Sequence, residues 1–161
     1  MANWPSDAAV FPLALALIKQ FEGCRLTPYR DSAGIPTIGY GTIEYPNGVA
    51  VTMNDAPLTE AKATDILSYQ IGIRSRAIAP MLQRPANNHQ AAAILCLAYN
   101  IGTAAFRASS VLRNFNSGDL AGAADAFLMW DKATVDGEHV TIPGLHNRRV
   151  AERTIFLTAD S

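Results

Sequence analysis

The chain has 161 residues, a formal net charge of -1 and a pI near 6.3. That length suits one compact domain with a real core, and the lack of a basic excess excludes a protein that holds nucleic acid along a charged stripe. Hydrophobic content of 49% with 17% charged residues belongs to a globular chain, and 27 alanines tilt it toward helix.

Residues 1–11 read as an arm, with Trp4, Pro5 and Phe11 as packing points. Pro12 suits the first turn of a helix, where a missing N–H does no harm. Leu13, Leu17 and Phe21 then recur every fourth residue, with Ala14 and Ile18 beside them, and Glu22 projects from the same stripe before Gly23 stops the helix. The apolar run Ala8 to Ile18 falls short of the ~20 residues of a bilayer span, and no basic residue precedes it, so it reads as no export device.

From Leu26 to Met53 the pattern changes to short alternating segments. Thr37 to Thr42 reads as a strand, and Asn47-Gly48 as a turn into a second strand, Val49 to Thr52, in a small antiparallel sheet. Thr59 reads as the cap of a long helix running toward Pro80, with Ala63, Ile66, Leu67, Ile71 and Ile78 at core spacing. Further helices are expected from His89 to Asn100, capped by Asn88 and stopped by Gly102, from Ser109 or Ser110 to Gly118, and from the Asp119 cap to about Trp130. A polar loop follows, and Pro143-Gly144 opens a last helix through Phe156. There is no internal repeat.

The candidate chemistry lies at Glu22, Asp31 and Thr37. Desolvation by the stripe and the negative end of the helix dipole both disfavour ionised Glu22, the condition for a general acid. Asp31 lies in a Ser-Ala-Gly turn whose N–H groups favour its carboxylate, which suits it to activate a water or to support positive charge developing at the sugar ring. Thr37 offers a hydroxyl for that water, and Gly39 and Gly41 let a sugar approach the backbone. Two carboxyl groups in unlike surroundings are what hydrolysis of a glycosidic bond requires. Taken singly, a Glu at a helix end also serves as a solvated cap, and an Asp before Ser-Ala-Gly as a turn former.

The interval from Glu22 over eight residues to Asp31, and over five more to Thr37, resembles the catalytic motif of the phage-type lysozymes, glycoside hydrolase family twenty-four. Similar blocks follow in family order: Ala98-Tyr99-Asn100-Ile101-Gly102 with Phe106-Arg107, Ser109 to Leu112, Asn116-Ser117-Gly118-Asp119, and Pro143-Gly144-Leu145 with Arg148-Arg149 and Glu152. The resemblance spans about residues 13 to 157. It implies an α+β, mostly helical fold. A sheet lobe of about residues 24–57 and a connecting helix of about 58–80 would join a helical lobe made of about 81–161 and 12–23, all in a single domain.

It implies cleavage of the β-1,4 bond between N-acetylmuramic acid and N-acetylglucosamine of peptidoglycan with inversion, Glu22 acting as acid and Asp31 and Thr37 acting on water. One of Arg148 and Arg149 would pair with Glu22 from the far lobe, and Gly41, Tyr99 and Asn100 would face the sugars. The chain departs from some members in having Thr42 where they carry a histidine, and Phe21 where others are acidic.

Other residues read more plainly. Trp130 reads as core. His89, His139 and His146 have no metal spacing with one another, and Gly39-Tyr40-Gly41 is no phosphate loop, so neither a metal nor a cofactor is expected. Cys24 and Cys96 lack a CxxC pattern and read as free thiols, a disulfide between them staying open. The expected protein is a monomeric endolysin held in the host cytoplasm until a holin admits it to the wall, with no nucleic-acid partner and no membrane anchor. The rival readings are a lytic transglycosylase, a chitin- or chitosan-cleaving enzyme, and a wall-binding or virion protein without chemistry.

Overall fold

A computed structural model describes residues 2–161. Helix α1 (Asp7–Phe21) leads into a hairpin of β1 (Arg25–Arg30) and β2 (Pro36–Gly39). An irregular stretch follows, then α2 (Glu60–Ile78), α3 (Asn88–Ile101), α4 (Thr103–Arg107), α5 (Ser110–Ser117) and α6 (Leu120–Phe127). A second hairpin, β3 (Lys132–Val135) and β4 (Glu138–Thr141), precedes α7 (Pro143–Phe156). The chain is α+β and mostly helical, with two small antiparallel sheets.

Helix α3 organises the core. Its residues Ala91 to Ala98 are all buried, so it is apolar around its whole circumference, which requires neighbours on every side. Those neighbours are α1, α7 and α2. Each buried Ile or Leu in this core contributes about 1.5–3 kcal/mol by leaving water. Phe156 of α7 closes the far end, with Phe115 edge-on at 6.2 Å and Phe127 tilted at 5.4 Å, tying α5 and α6 to the last helix.

Local signals place most helix ends. Thr59 accepts from the Lys62 N–H at 3.1 Å at the start of α2, Ser109 from the Leu112 N–H at 3.2 Å, and Asp119 from the Gly122 N–H at 2.9 Å. Pro143 stands in the first turn of α7, and Gly102 and Gly118 end α3 and α5 with positive φ. The five core positions expected on α2 are all buried.

Several expectations are corrected. Helix α1 begins at Asp7 rather than Pro12, which lies inside it. Burying Val10 together with Ala14, Leu17 and Ile18 outweighs the one hydrogen bond that Pro12 cannot donate. The cap of α3 is Asn87, whose side chain and that of Gln90 form a reciprocal box, one residue before the expected Asn88. Short α4 was not anticipated.

The strand expected at Val49 to Thr52 is absent. Only isolated bridges, Ile38 with Thr42 and Glu44 with Ala50, join this stretch, and β2 pairs instead with β1. Val51 is buried there and Val49 is 57% exposed, but the segment is held by single hydrogen bonds, from the Val51 N–H to the Ile43 carbonyl and from the Tyr45 N–H to the Val49 carbonyl, and not by a ladder. The polar stretch after Trp130 is the β3–β4 hairpin, turned by Asp136 and Gly137 at φ 51 and 81. An Asp-Gly pair supplies the two positive φ angles of a tight hairpin.

Candidate active site

Glu22 caps the C-terminus of α1, its N–H donating to the Ile18 carbonyl at 2.8 Å. The stripe of α1 buries against α3, which leaves the carboxyl at the edge of the core with 25% exposure. Its Oε1 accepts from Arg148 Nη1 at 2.7 Å. Its Oε2 faces Gly41, where an added Cβ would stand 3.3 Å away, on a backbone already at φ +83. The backbone conformation favours glycine at 41, and any side chain there would crowd the Glu22 carboxyl.

Arg148 comes from α7 and is buried. Besides Glu22 it donates from Nη2 to the Cys96 carbonyl at 3.2 Å and from Nε to Glu152 at 3.4 Å. Glu152 also receives Arg149 Nη1, while Arg149 donates from Nε to the Trp130 carbonyl at 3.0 Å and from Nη2 to Asn100 Oδ1. A chain of opposite charges therefore runs from Glu22 through Arg148, Glu152 and Arg149 to Asn100. Burial pushes the Glu152 carboxyl up, and the two guanidiniums beside it oppose that. Arg148 is held above its ordinary value by the surrounding acidic groups in spite of burial, so it stays a cation. Of the two arginines considered from the sequence, Arg148 is the one on Glu22, and Arg149 braces Asn100.

An open cleft of about 440 Å³ lies against this carboxyl, lined by Glu22, Gly41, Tyr99 and Asn100 with Ile43, Gln70, Ile73 and Arg74. Tyr99 donates its hydroxyl to the Tyr40 carbonyl at 3.1 Å, bridging α3 to the residues after β2. Burial, together with the charge of Glu22, pushes this phenol above its ordinary value and keeps it a donor. Thr42 is buried, its hydroxyl reaching Gln70 Oε1 at 3.5 Å.

Asp31 and Thr37 are not part of that lining. They stand in the β1–β2 hairpin and are coupled through one residue between them. Ile35 donates its N–H to Asp31 Oδ1 at 2.9 Å and accepts the Thr37 hydroxyl on its carbonyl at 2.8 Å. The Ala33 N–H adds a second bond to Asp31 Oδ1 at 2.8 Å. These N–H bonds are the ones the Ser-Ala-Gly turn led us to expect, and the second Asp31 oxygen is left out of them.

Four lining residues escaped the sequence reading. Gln70, Ile73 and Arg74 share a face of α2 at spacings of three and four, and Ile43 follows Thr42. The signal available in the sequence was Ile73, an apolar residue off the core spacing of α2, and in the structure it is 47% exposed. Cys24 is exposed and Cys96 buried, both as free thiols. Trp130 packs half-buried against the core, His89 bonds Asp160 and His146 bonds Asp131.

A mostly helical body with two small antiparallel hairpins and a carboxyl on the wall of an open cleft define the lysozyme-like class of hydrolases. Comparison with known proteins narrows this. The phage lysozyme family model matches residues 19–152. An endolysin of Acyrthosiphon pisum secondary endosymbiont phage 1 is 39% identical over 150 residues, covering 90% of this chain and 95% of that protein. The solved endolysin from Escherichia coli O157:H7 phage FAHEc1 matches with a TM-score of 0.85 and 39% identity over 90% of each chain. The muramidase domain of SpmX from Asticaccaulis excentricus matches with a TM-score of 0.76 and 31% identity over 91% of this chain and 95% of that one. The chain belongs to the phage lysozyme family, and bacterial peptidoglycan is its substrate.

Proposed function

We propose that the protein is an endolysin muramidase that cuts the β-1,4 bond between N-acetylmuramic acid and N-acetylglucosamine, with Glu22 as general acid. The observation that carries this reading is the position of Glu22, on the wall of the open cleft with its carboxyl held by Arg148. Glu22 passes a proton to the glycosidic oxygen as the bond breaks. Asp31 takes a proton from a water that Thr37 orients, and that water adds to the anomeric carbon from the opposite face, inverting it. Gly41, Tyr99 and Asn100 border the sugars, and Arg148 and Arg149 hold the acid and Asn100 in place. Residues 1–161 act as one lysozyme domain and as a monomer.

The enzyme accumulates in the host cytoplasm and meets the wall after a holin opens the membrane. This is supported by the folding of Ala8 to Ile18 into α1, whose apolar residues pack in the core. No helix among the described residues is long and apolar enough to cross a membrane.

The test is mass spectrometry of soluble products from purified peptidoglycan, with Glu22→Gln beside the native enzyme. Hydrated muramic reducing ends, absent with a folded Glu22→Gln variant, are the expected result. Anhydro ends would replace hydrolysis by transglycosylation, and activity in the variant would remove Glu22 as the acid.

A further inference from the structure

Two charged side chains line the cleft, Glu22 and Arg74. The first is met by Arg148. Among the described residues no carboxylate lies within ion-pair distance of Arg74. Its Nη1 donates to the Thr103 hydroxyl, a neutral acceptor on α4. A guanidinium has five N–H donors in a rigid fork suited to a carboxylate, so most of this fork is left for a ligand.

The setting sharpens the field of that charge. Ile73 and Ile43, each 47% exposed, line the same cavity and give it apolar walls. A fixed cation beside such walls projects its potential into the cleft.

We propose that Arg74 is a specificity-determining residue that binds a carboxylate of the stem peptide on the glycan strand being cut. The inference rests on the peptidoglycan reading above. The sugars themselves offer no charge: their acetamido groups are neutral, and the lactyl carboxyl of a peptide-bearing muramic acid is consumed in an amide bond. Negative charge resides on the peptide, at its acidic residue and its C-terminal end. A permanent cation on the wall of the cleft therefore distinguishes peptide-bearing strand from bare polysaccharide.

The competing role for Arg74 is a brace between α2 and α4 through Thr103. A cycle on both enzyme and substrate separates the two. Sacculi are used as isolated and after their carboxyl groups have been converted to amides with carbodiimide and ammonia. Release of reducing ends is followed with the native enzyme, Arg74→Met, Arg74→Lys and Thr103→Val.

Amidation is expected to lower kcat/KM of the native enzyme by about tenfold, the scale of one charge-assisted hydrogen bond. Arg74→Met should show a similar loss on untreated sacculi and be indifferent to amidation. Arg74→Lys should recover part of the preference, and Thr103→Val should keep it. An equal loss by Arg74→Met on both substrates, or a native enzyme indifferent to amidation, would overturn the proposal. So would disappearance of the preference in Thr103→Val, which would assign it to the brace. A native enzyme that releases no reducing ends from untreated sacculi would overturn the muramidase reading itself, and this inference with it.

Discussion

Arg148 Nη1 donates to Glu22 Oε1 at 2.7 Å, joining the last helix to the end of the first across 126 positions of chain. The same guanidinium holds Glu152 and the Cys96 carbonyl, and Arg149 extends the chain of charges to Asn100. The carboxyl of Glu22 and the amide of Asn100, which line the same cleft, are thus anchored to one buried cluster.

Removing Arg148 takes the cation from Glu22 and leaves the buried Glu152 with Arg149 alone. Arg148→Met is expected to lower the free energy of unfolding by about 1–3 kcal/mol, read from urea melts. Arg148→Lys keeps the charge but cannot span three acceptors with one fork, so part of the stability should return while activity stays low. Full activity in Arg148→Lys would show that orientation of Glu22 does not depend on the fork.

Gly41→Ala should separate strain from displacement. Adding a Cβ at φ +83 costs about 1–3 kcal/mol, and here the new atom also crowds the Glu22 carboxyl at 3.3 Å. Gly137→Ala, at φ +81 with nothing within 4 Å, carries the strain alone. Both variants should melt at lower urea, with a rate of wall cleavage reduced at least tenfold in Gly41→Ala and unchanged in Gly137→Ala. Equal rates would mean that the close approach at Gly41 has no bearing on chemistry.

The alkaline limit of stability should report two tyrosines. Burial pushes the Tyr40 hydroxyl to about 12, with Cys24 and Glu60 adding to it, and burial with Asp55 does the same for Tyr45. Both phenols titrate at 10.0 when unperturbed, so above pH 10 the unfolded chain loses protons that the folded chain retains. Their contribution is complete below pH 10 and is lost as pH rises through about 12. Urea midpoints should fall over that window in the native protein and fall less in the double variant Tyr40→Phe, Tyr45→Phe. The same slope in both proteins would place the alkaline loss elsewhere.

Much of this protein is determined by interactions over a few residues and is legible without tertiary structure. The caps at Thr59 and Asp119, the glycine stops at 102 and 118, and the core spacing of α2 involve neighbours three or four positions apart, and they hold in the fold. The same is true of Glu22 at a helix end and of the Asp31 turn, because each depends on residues beside it.

Tertiary packing decided the rest. Arg148 and Arg149 are adjacent in sequence, and about 100° around a helix separates the one that reaches Glu22 from the one that reaches Asn100. Nothing local distinguishes them, since their acceptors lie 126 and 49 positions away. Likewise Pro12 lies within α1 because Val10 has a core to enter, and Val49 to Thr52 forms no strand because β2 is paired with β1 instead. Arg74 joins the cleft by the phase of α2 against the hairpin and α4. Such choices are made by burial and by partners distant in sequence, which the spacing of neighbours along the chain does not encode.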